Sequence, residues 1–281
     1  MKMKNLPLIA LMFTFVTTLF AQGETVRKRH NYQFEKGSSL TLEVEIDAAE
    51  VTFAANDRET ELSVYLAYEE DRFEYDIDYD EKDHAIFISF DKTHWMDDDD
   101  FDGDVEIEIM LPAAVIVDLD CRVKAGEVNM DLGDLSLQRF ELKTWAGEVE
   151  VDFHESNRIP MRWLGINTKV GETRLIKLGN ARFQRAEINS GIGQLNVDFT
   201  GIDEESSADI DLDIGATEIY IPDNIGVKLN VNEFLFLSQV DVPRRLNKKG
   251  KYYYSDNYDQ AKTSVLLKIK PGIGELRIAY H

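Results

Sequence analysis

The apolar positions of the chain fall into short alternating runs, each set off by a glycine. Val128, Met130 and Leu132 follow Gly126; Val149, Val151 and Phe153 follow Gly147; Leu195, Val197 and Phe199 follow Gly193; Thr217, Ile219 and Ile221 follow Gly215. Alternation of period two is the mark of a strand with one buried face. Upstream the frame also holds, with Leu119/Cys121, Phe140/Leu142, Leu164/Ile166, Ala186/Ile188 and Ala208/Ile210 standing seven and five positions before Gly126, Gly147, Gly171, Gly193 and Gly215. These glycines follow one another at intervals of 21, 24, 22 and 22 residues, and self-similarity at such a period predicts stacked repeats that share one core. Inward parity is odd before each glycine and even after it, which one continuous strand cannot produce because its side chains alternate strictly. A corner or bulge is expected there, and glycine suits it because without a Cβ a positive φ or a close backbone approach costs little.

The frame returns at both ends. Leu42, Val44 and Ile46 precede Ala49, with Val51 and Phe53 after it; Leu267 and Ile269 precede Gly274, with Leu276, Ile278 and Tyr280 after it. A more degenerate unit turns at Ser238, followed by Val240 and Val242. Between the first unit and Gly126, the runs Glu61 to Tyr68, Phe73 to Tyr79, Ala85 to Phe90 and Val105 to Leu111 read as an antiparallel meander. The expected fold is therefore all-β, a β-solenoid-like stack of about 22-residue strand-turn-strand repeats preceded by that meander. The spacing leaves open whether the units coil in parallel or run back and forth. The domain division expected is 1–22 as a signal peptide, 23–118 as an N-terminal β region and 119–281 as the repeat domain.

Residues 1–22 are read as a signal peptide because Lys2 and Lys4 precede an apolar run from Leu6 to Phe20 that ends at Ala21-Gln22. The expectation is an exported protein, periplasmic, cell-surface or extracellular, with no transmembrane segment in the mature chain. Lys+Arg number 31 against 53 Asp+Glu, a formal net charge of −22, which opposes nucleic acid and anionic lipid as general partners. Much of the excess lies on the outward positions of the repeats, such as Glu127/Asn129/Asp131 and Glu148/Glu150/Asp152, and so reads as a solvated face. Cys121, the single cysteine, excludes an internal disulfide framework and occupies the frame position held by Leu142, Ile166, Ile188, Ile210 and Ile269, a core position.

Two stretches carry candidate chemistry. Asp98, Asp100 and Asp102 before Gly103 match the opening of a calcium loop, in which alternate carboxylates converge on a hard cation. The twelfth position is Ile109 rather than a bidentate glutamate, and the bland reading is an acidic hairpin tip. The second stretch is basic and aromatic: Arg244, Arg245, Lys248, Lys249, Tyr252 and Tyr254 form a candidate grip for an anionic glycan or the acidic face of an envelope protein. Its bland reading is a solvated insertion whose tyrosines cover the end of the core. His30, His84, His94, His154 and His281 have no spacing suited to zinc. β-Solenoids with coils of this length include polysaccharide lyases and hydrolases, yet no pair of carboxylates stands out as the separated dyad that glycoside hydrolysis needs. The chain is read as a non-enzyme without a cofactor, calcium excepted.

Gly179-Asn180-Ala181-Arg182-Phe183, the repeated Gly-Glu-Val corners, Ile221-Pro222-Asp223-Asn224-Ile225-Gly226-Val227, and Lys251-Tyr252-Tyr253-Tyr254-Ser255 through to Gly274-Glu275-Leu276 resemble the bacterial toast-rack family, over almost the whole mature chain. That family is related to the extracellular parts of cell-wall-active antibiotic response proteins and to adhesin-like envelope proteins. The resemblance implies a non-catalytic binding or scaffolding role in the cell envelope, with a possible link to envelope stress. The alternative is a structural, adhesin-like protein that self-associates. Two departures from the family pattern are Ala49 in place of the first corner glycine and the lack of an attached membrane-spanning segment.

Overall fold

The computed structural model describes residues 25–93, 105–232 and 237–280. Asp98, Asp100, Asp102 and the proposed signal segment lie outside the described residues. The chain runs through β1 (Thr25–Gln33), β2 (Ser39–Ala55), β3 (Glu61–Glu69), β4 (Phe73–Asp80), β5 (Ala85–Lys92) and β6 (Glu106–Leu111). Five long strands follow: β7 (Ile116–Asp131), β8 (Leu137–Asp152), β9 (Met161–Ile176), β10 (Phe183–Asp198) and β11 (Ser206–Ile221). The chain closes with β12 (Gly226–Val231), β13 (Ser238–Asp241), β14 (Leu246–Lys249), β15 (Tyr252–Ser255), β16 (Ser264–Lys270) and β17 (Ile273–Tyr280).

β2 and β7 to β11 are each a single bent strand, and they stack in parallel and in register. Each passes through the corner the sequence predicts, and the buried parity changes there: Leu119, Cys121 and Val123 point inward before Gly126, Val128 and Met130 after it. The corner residues form one column, Ala49, Gly126, Gly147, Gly171, Gly193, Gly215 and Gly274, paired rung to rung. Its glycines have φ between +127° and +146°. A Cβ added to any of them would lie 1.8–1.9 Å from the carbonyl oxygen of the corner residue in the rung before, so both the backbone angle and the space demand glycine. Ala49 heads the column. On its outer side the ladder pairs residues up to Ile46 with β5 and from Glu50 with β6, which leaves the Ala49 position outside it.

The two halves of the bent strands make two sheets around one core that runs from Phe34 to Ile278. Cys121 is fully buried in the column Val44, Cys121, Leu142, Ile166, Ile188, Ile210 and Ile269, and burial pushes its thiol pKa up, away from thiolate chemistry. Inside the corner, hydroxyl residues replace the apolar residues of other rungs at several buried positions, as Thr168 and Ser190 do in the column of Val123 and Leu212. Thr173 Oγ1 donates to Thr168 Oγ1 at 3.0 Å, and Thr168 Oγ1 donates to Ser190 Oγ at 3.3 Å, all three residues being buried.

The ends differ from a simple series of units. The antiparallel pairing expected of residues 61 to 111 holds for β1 with β3, β3 with β6, and β4 with β5. β5 and β6, however, run parallel to β2 and continue its two halves. Sharing these strands between both sheets keeps every apolar face over the common core, whereas a separate meander would need a second layer of its own. At the other end β16 and β17 insert between β11 and the later rung formed by β12 and β13. This detour accounts for the long gap between Gly215 and Gly274, and Ser238 pairs with Gly274 as the degenerate corner.

The corner column gives a direct contrast between glycines. Gly171→Ala forces a methyl group into the Gly147 carbonyl, and is expected to cost at least about 4 kcal/mol in urea unfolding. Gly250→Ala, at a positive φ with nothing within 4 Å, is expected to cost only about 1 kcal/mol. Equal losses at the two positions would refute the close-contact account of the column.

Candidate binding site

The basic and aromatic stretch folds as a hairpin, β14 and β15, on the end of one sheet, where β15 pairs antiparallel with β12. Side chains alternate across it. Tyr252 and Tyr254 stand on the outer face with Lys249, whose ammonium lies 5.7 Å from the Tyr254 ring centre. Two lysines join them: Lys228 of β12 sits 4.4 Å from the centre of Tyr252 and 5.9 Å from that of Tyr254, and Lys251 sits 5.2 Å from that of Tyr252. Tyr258 packs edge-on to Tyr254 at 5.1 Å. Cations over tyrosine faces are held without neutralisation, because the ring quadrupole attracts them while leaving their outer side in water.

The other predicted residues go elsewhere. Lys248 lies over Tyr253, whose ring packs against the core on the opposite face. Arg245 leaves the hairpin for Asp223 (Nη1 to Oδ1, 2.7 Å) and the Tyr280 ring (5.7 Å). Arg244 is exposed. The structure therefore brings Lys249, Tyr252 and Tyr254 together, separates Arg245 and Lys248 from them, and adds Lys228, Lys251 and Tyr258. Sequence reasoning missed Lys228 because it belongs to a different strand, and only the β12–β15 pairing places it opposite Tyr254.

A polar groove of about 410 Å³ runs along the outer face of the same sheet. Glu187, Asp209 and Lys268 line one row, and Asn189, Asp211 and Lys270 the next, with Asn230 and Asn232 at the hairpin end. Asn230 Nδ2 donates to the Lys251 carbonyl at 2.7 Å, which fixes the hairpin to the groove. Two of the three acids in the groove are paired with lysines: Lys268 Nζ lies 3.0 Å from Asp209 Oδ1, and Lys270 Nζ 2.8 Å from Asp211 Oδ2, a contact that raises the Lys270 pKa, while Glu187 accepts from Asn189 Nδ2 at 3.1 Å. Such a groove offers many hydrogen-bonding groups beside the apolar stems of its side chains. That chemistry suits a hydroxyl-rich chain rather than a hydrophobic small molecule.

Elsewhere on this face acids stand beside acids and cations. Asp120, its pKa raised chiefly by burial, neighbours Glu141, while Arg122 binds Asp120 (3.2 Å), Glu43 (2.7 Å) and Glu45. Among the described residues no group of three or more His, Cys, Asp or Glu side chains could hold a metal ion.

The profile of one family, the N-terminal domain of toast_rack, DUF2154, matches residues 21–162, about half of the chain. Among solved structures, a candidate cell adhesion protein from Clostridium sporogenes ATCC 15579 superposes with a TM-score of 0.46 at 16% identity, over 91% of this chain and 100% of its own. A candidate adhesin from Bacteroides fragilis NCTC 9343 gives a TM-score of 0.43 at 12% identity, over 90% of this chain and 97% of its own. The curated proteins contain no match.

The Tyr280 phenol, beside Arg245, allows a pH test. Burial raises its pKa from 10.0 to about 12, with the Asp223 carboxylate adding to the shift and Arg245 opposing it. The stability this contributes is complete below pH 10 and is lost as pH rises through about 12. Its hydroxyl is buried without a hydrogen-bond partner, so Tyr280→Phe is expected to leave stability at pH 7 unchanged or slightly higher. The same change should flatten the fall in urea midpoint between pH 10 and pH 12, and an unaltered slope there would refute the assignment.

Proposed function

The chain belongs to the toast-rack N-terminal domain family, and from that premise we propose that it is a non-catalytic binding module of the bacterial cell envelope. Its ligand is an extended anionic glycan, which lies along the polar groove and is held at the hairpin by Lys228, Lys249, Tyr252 and Tyr254. One observation carries this reading: in a protein of net charge −22, three lysines are gathered on two tyrosine rings at the open end of a groove lined with amides and paired charges. The acidic body repels a polyanion everywhere else, so the field steers it to this end. Tyrosine rings supply flat contact for sugar rings at little entropic cost. Envelope placement is supported by the sequence of the first 22 residues, with its lysines and apolar run. The non-catalytic reading is supported by the family to which the chain belongs. A tie to envelope stress would follow if the hairpin also captured a membrane-bound regulator.

Binding to polygalacturonate, as a uniform anionic glycan probe, tests the proposal, with dextran as the neutral control. The expected result is binding that weakens with salt and falls at least about tenfold in Lys228→Ala/Lys249→Ala. Arg245→Ala/Lys248→Ala, whose cations point elsewhere, should bind nearly as wild type. Equal loss in both variants, or equal binding of dextran, would remove the outer face of the hairpin as the site. Crosslinking in the native envelope, with Arg244, Arg245, Lys248 and Lys249 all changed to alanine as the comparison, would reveal a captured regulator.

A further inference from the structure

Along the outside of the corner, one position before each glycine, the stack carries a second column: Ala48, Ala125, Ala146, Val170, Ile192, Ile214 and Ile273. Leu237 extends it, because Ser238 pairs with Gly274 and the Leu237 carbonyl accepts from the Gly274 amide at 3.1 Å. Val170, Ile192, Ile214, Ile273 and Leu237 are 44–51% exposed, and they account for five of the six exposed large apolar side chains of the described residues. They form one unbroken ridge with a repeat of about 4.8 Å.

The surroundings of the ridge change on the same rungs. Where the column is alanine the residues just past the glycines are Glu127 and Glu148, and at Val170 the residue is still acidic, Glu172. Where the column turns to isoleucine, those residues become Gln194 and Ala216, and acid returns only at Glu275. Corner glycines flank the ridge on one side, and the row on the other side is Lys169, Gly191, Asp213 and Gly272. The isoleucines thus rise above a trough of backbone, in a band where acids thin out at the two central rungs, Ile192 and Ile214.

We infer that this ridge is a self-association surface, on which a second copy of the chain seats its own ridge in the glycine trough of the first. Three features single out a second copy. A rigid apolar ladder repeating at the spacing of β-strands is matched tooth for tooth by another stack of the same period. The surface is self-complementary in shape, a ridge bordered by a trough. Its two central rungs also carry Gln194 and Ala216 in place of the glutamates that line the earlier corners, so repulsion of an identical molecule is weakest there. The five side chains expose roughly 400 Å², about half of the ~800 Å² that each partner gives to a standard interface. The dimer is therefore weak, and the long-range repulsion between two acidic bodies makes it tighter at high salt. This inference is independent of the glycan reading, since the hairpin is not part of the ridge.

Sedimentation velocity across protein concentration, at about 0.05 M and about 0.5 M salt, tests it. Wild type is expected to move from monomer toward dimer with concentration, more completely at the higher salt. Ile192→Asp/Ile214→Asp should weaken the association at least about tenfold. Ile192→Thr/Ile214→Thr, which keeps β-branched residues at these exposed positions, should weaken it in the same direction with an unchanged circular dichroism spectrum and melting temperature. Lys228→Ala/Lys249→Ala should dimerise as wild type. A wild type that stays monomeric under all these conditions overturns the inference, as does a ridge variant that dimerises normally. Ridge-dependent binding of a monomeric chain to lipid vesicles would also overturn it, by showing that a membrane surface is the occupant.

Discussion

The contact on which the structure depends is the approach of each corner glycine to the carbonyl oxygen of the corner before it. No side chain fits between Gly147 and Gly126, or between Gly193 and Gly171, because a Cβ would stand 1.8 Å from oxygen. A stack built on such a contact cannot slip out of register between glycine rungs, since a slip would bring a substituted residue to the corner. The strands coil in parallel, which spacing alone leaves open. Ala49 respects the same rule, for it contributes its carbonyl to Gly126 and has no rung of its own to approach.

Exact register has an electrostatic consequence. Because every rung repeats its neighbour's frame, outward residues form rows of like kind, and Glu127, Glu148 and Glu172 face one another across about 4.8 Å. Two unit charges at about 4 Å in water repel by about 1 kcal/mol. The stack offsets this in two ways. Interior rungs bury residues such as Phe140, Leu142 and Val151 at no exposure, each contributing about 1.5–3 kcal/mol. Cations are also inserted between acids, as Arg122 is between Asp120, Glu43 and Glu45, and Arg174 beside Glu150 and Glu172.

What the sequence makes legible is whatever the frame repeats. The corner at each glycine, the parity change, the buried Cys121 and even the degenerate unit at Ser238 can all be read from spacing, because inward and outward positions are fixed by a local alternation. The insertion of β16 and β17 between β11 and β12 is not legible, since it turns on which of several similar strands wins the place beside β11. The binding face is half legible for the same reason. Lys249, Tyr252 and Tyr254 lie within one hairpin and declare themselves by composition, while Lys228 reaches them only through the pairing of β12 with β15. The apolar ridge was open to view as Val170, Ile192, Ile214 and Ile273, each preceding a glycine. A residue next to a corner, however, belongs to neither strand's alternation, so a two-state reading of inward against outward gives it no place.

The same logic explains why both candidate surfaces lie in the later half of the stack. A perfectly repeated rung gives only a solvated acidic face, as β7 and β8 do with Glu127/Glu148 and Asp131/Asp152 in register. Recognition requires a departure from the frame, and outward side chains can depart on interior rungs because the backbone pairing on both sides does not depend on them. From β9 onward the rungs diverge: Arg174 follows Glu150 in a mixed row, Gln194 and Ala216 replace glutamate, and the chain leaves the stack after β13 to build the hairpin. The conserved element through all of this is the corner glycine with its backbone contact. A scaffold fixed by backbone alone leaves the outer side chains free to vary, so the outer rows and the corner ridge can be changed rung by rung without disturbing the register that presents them.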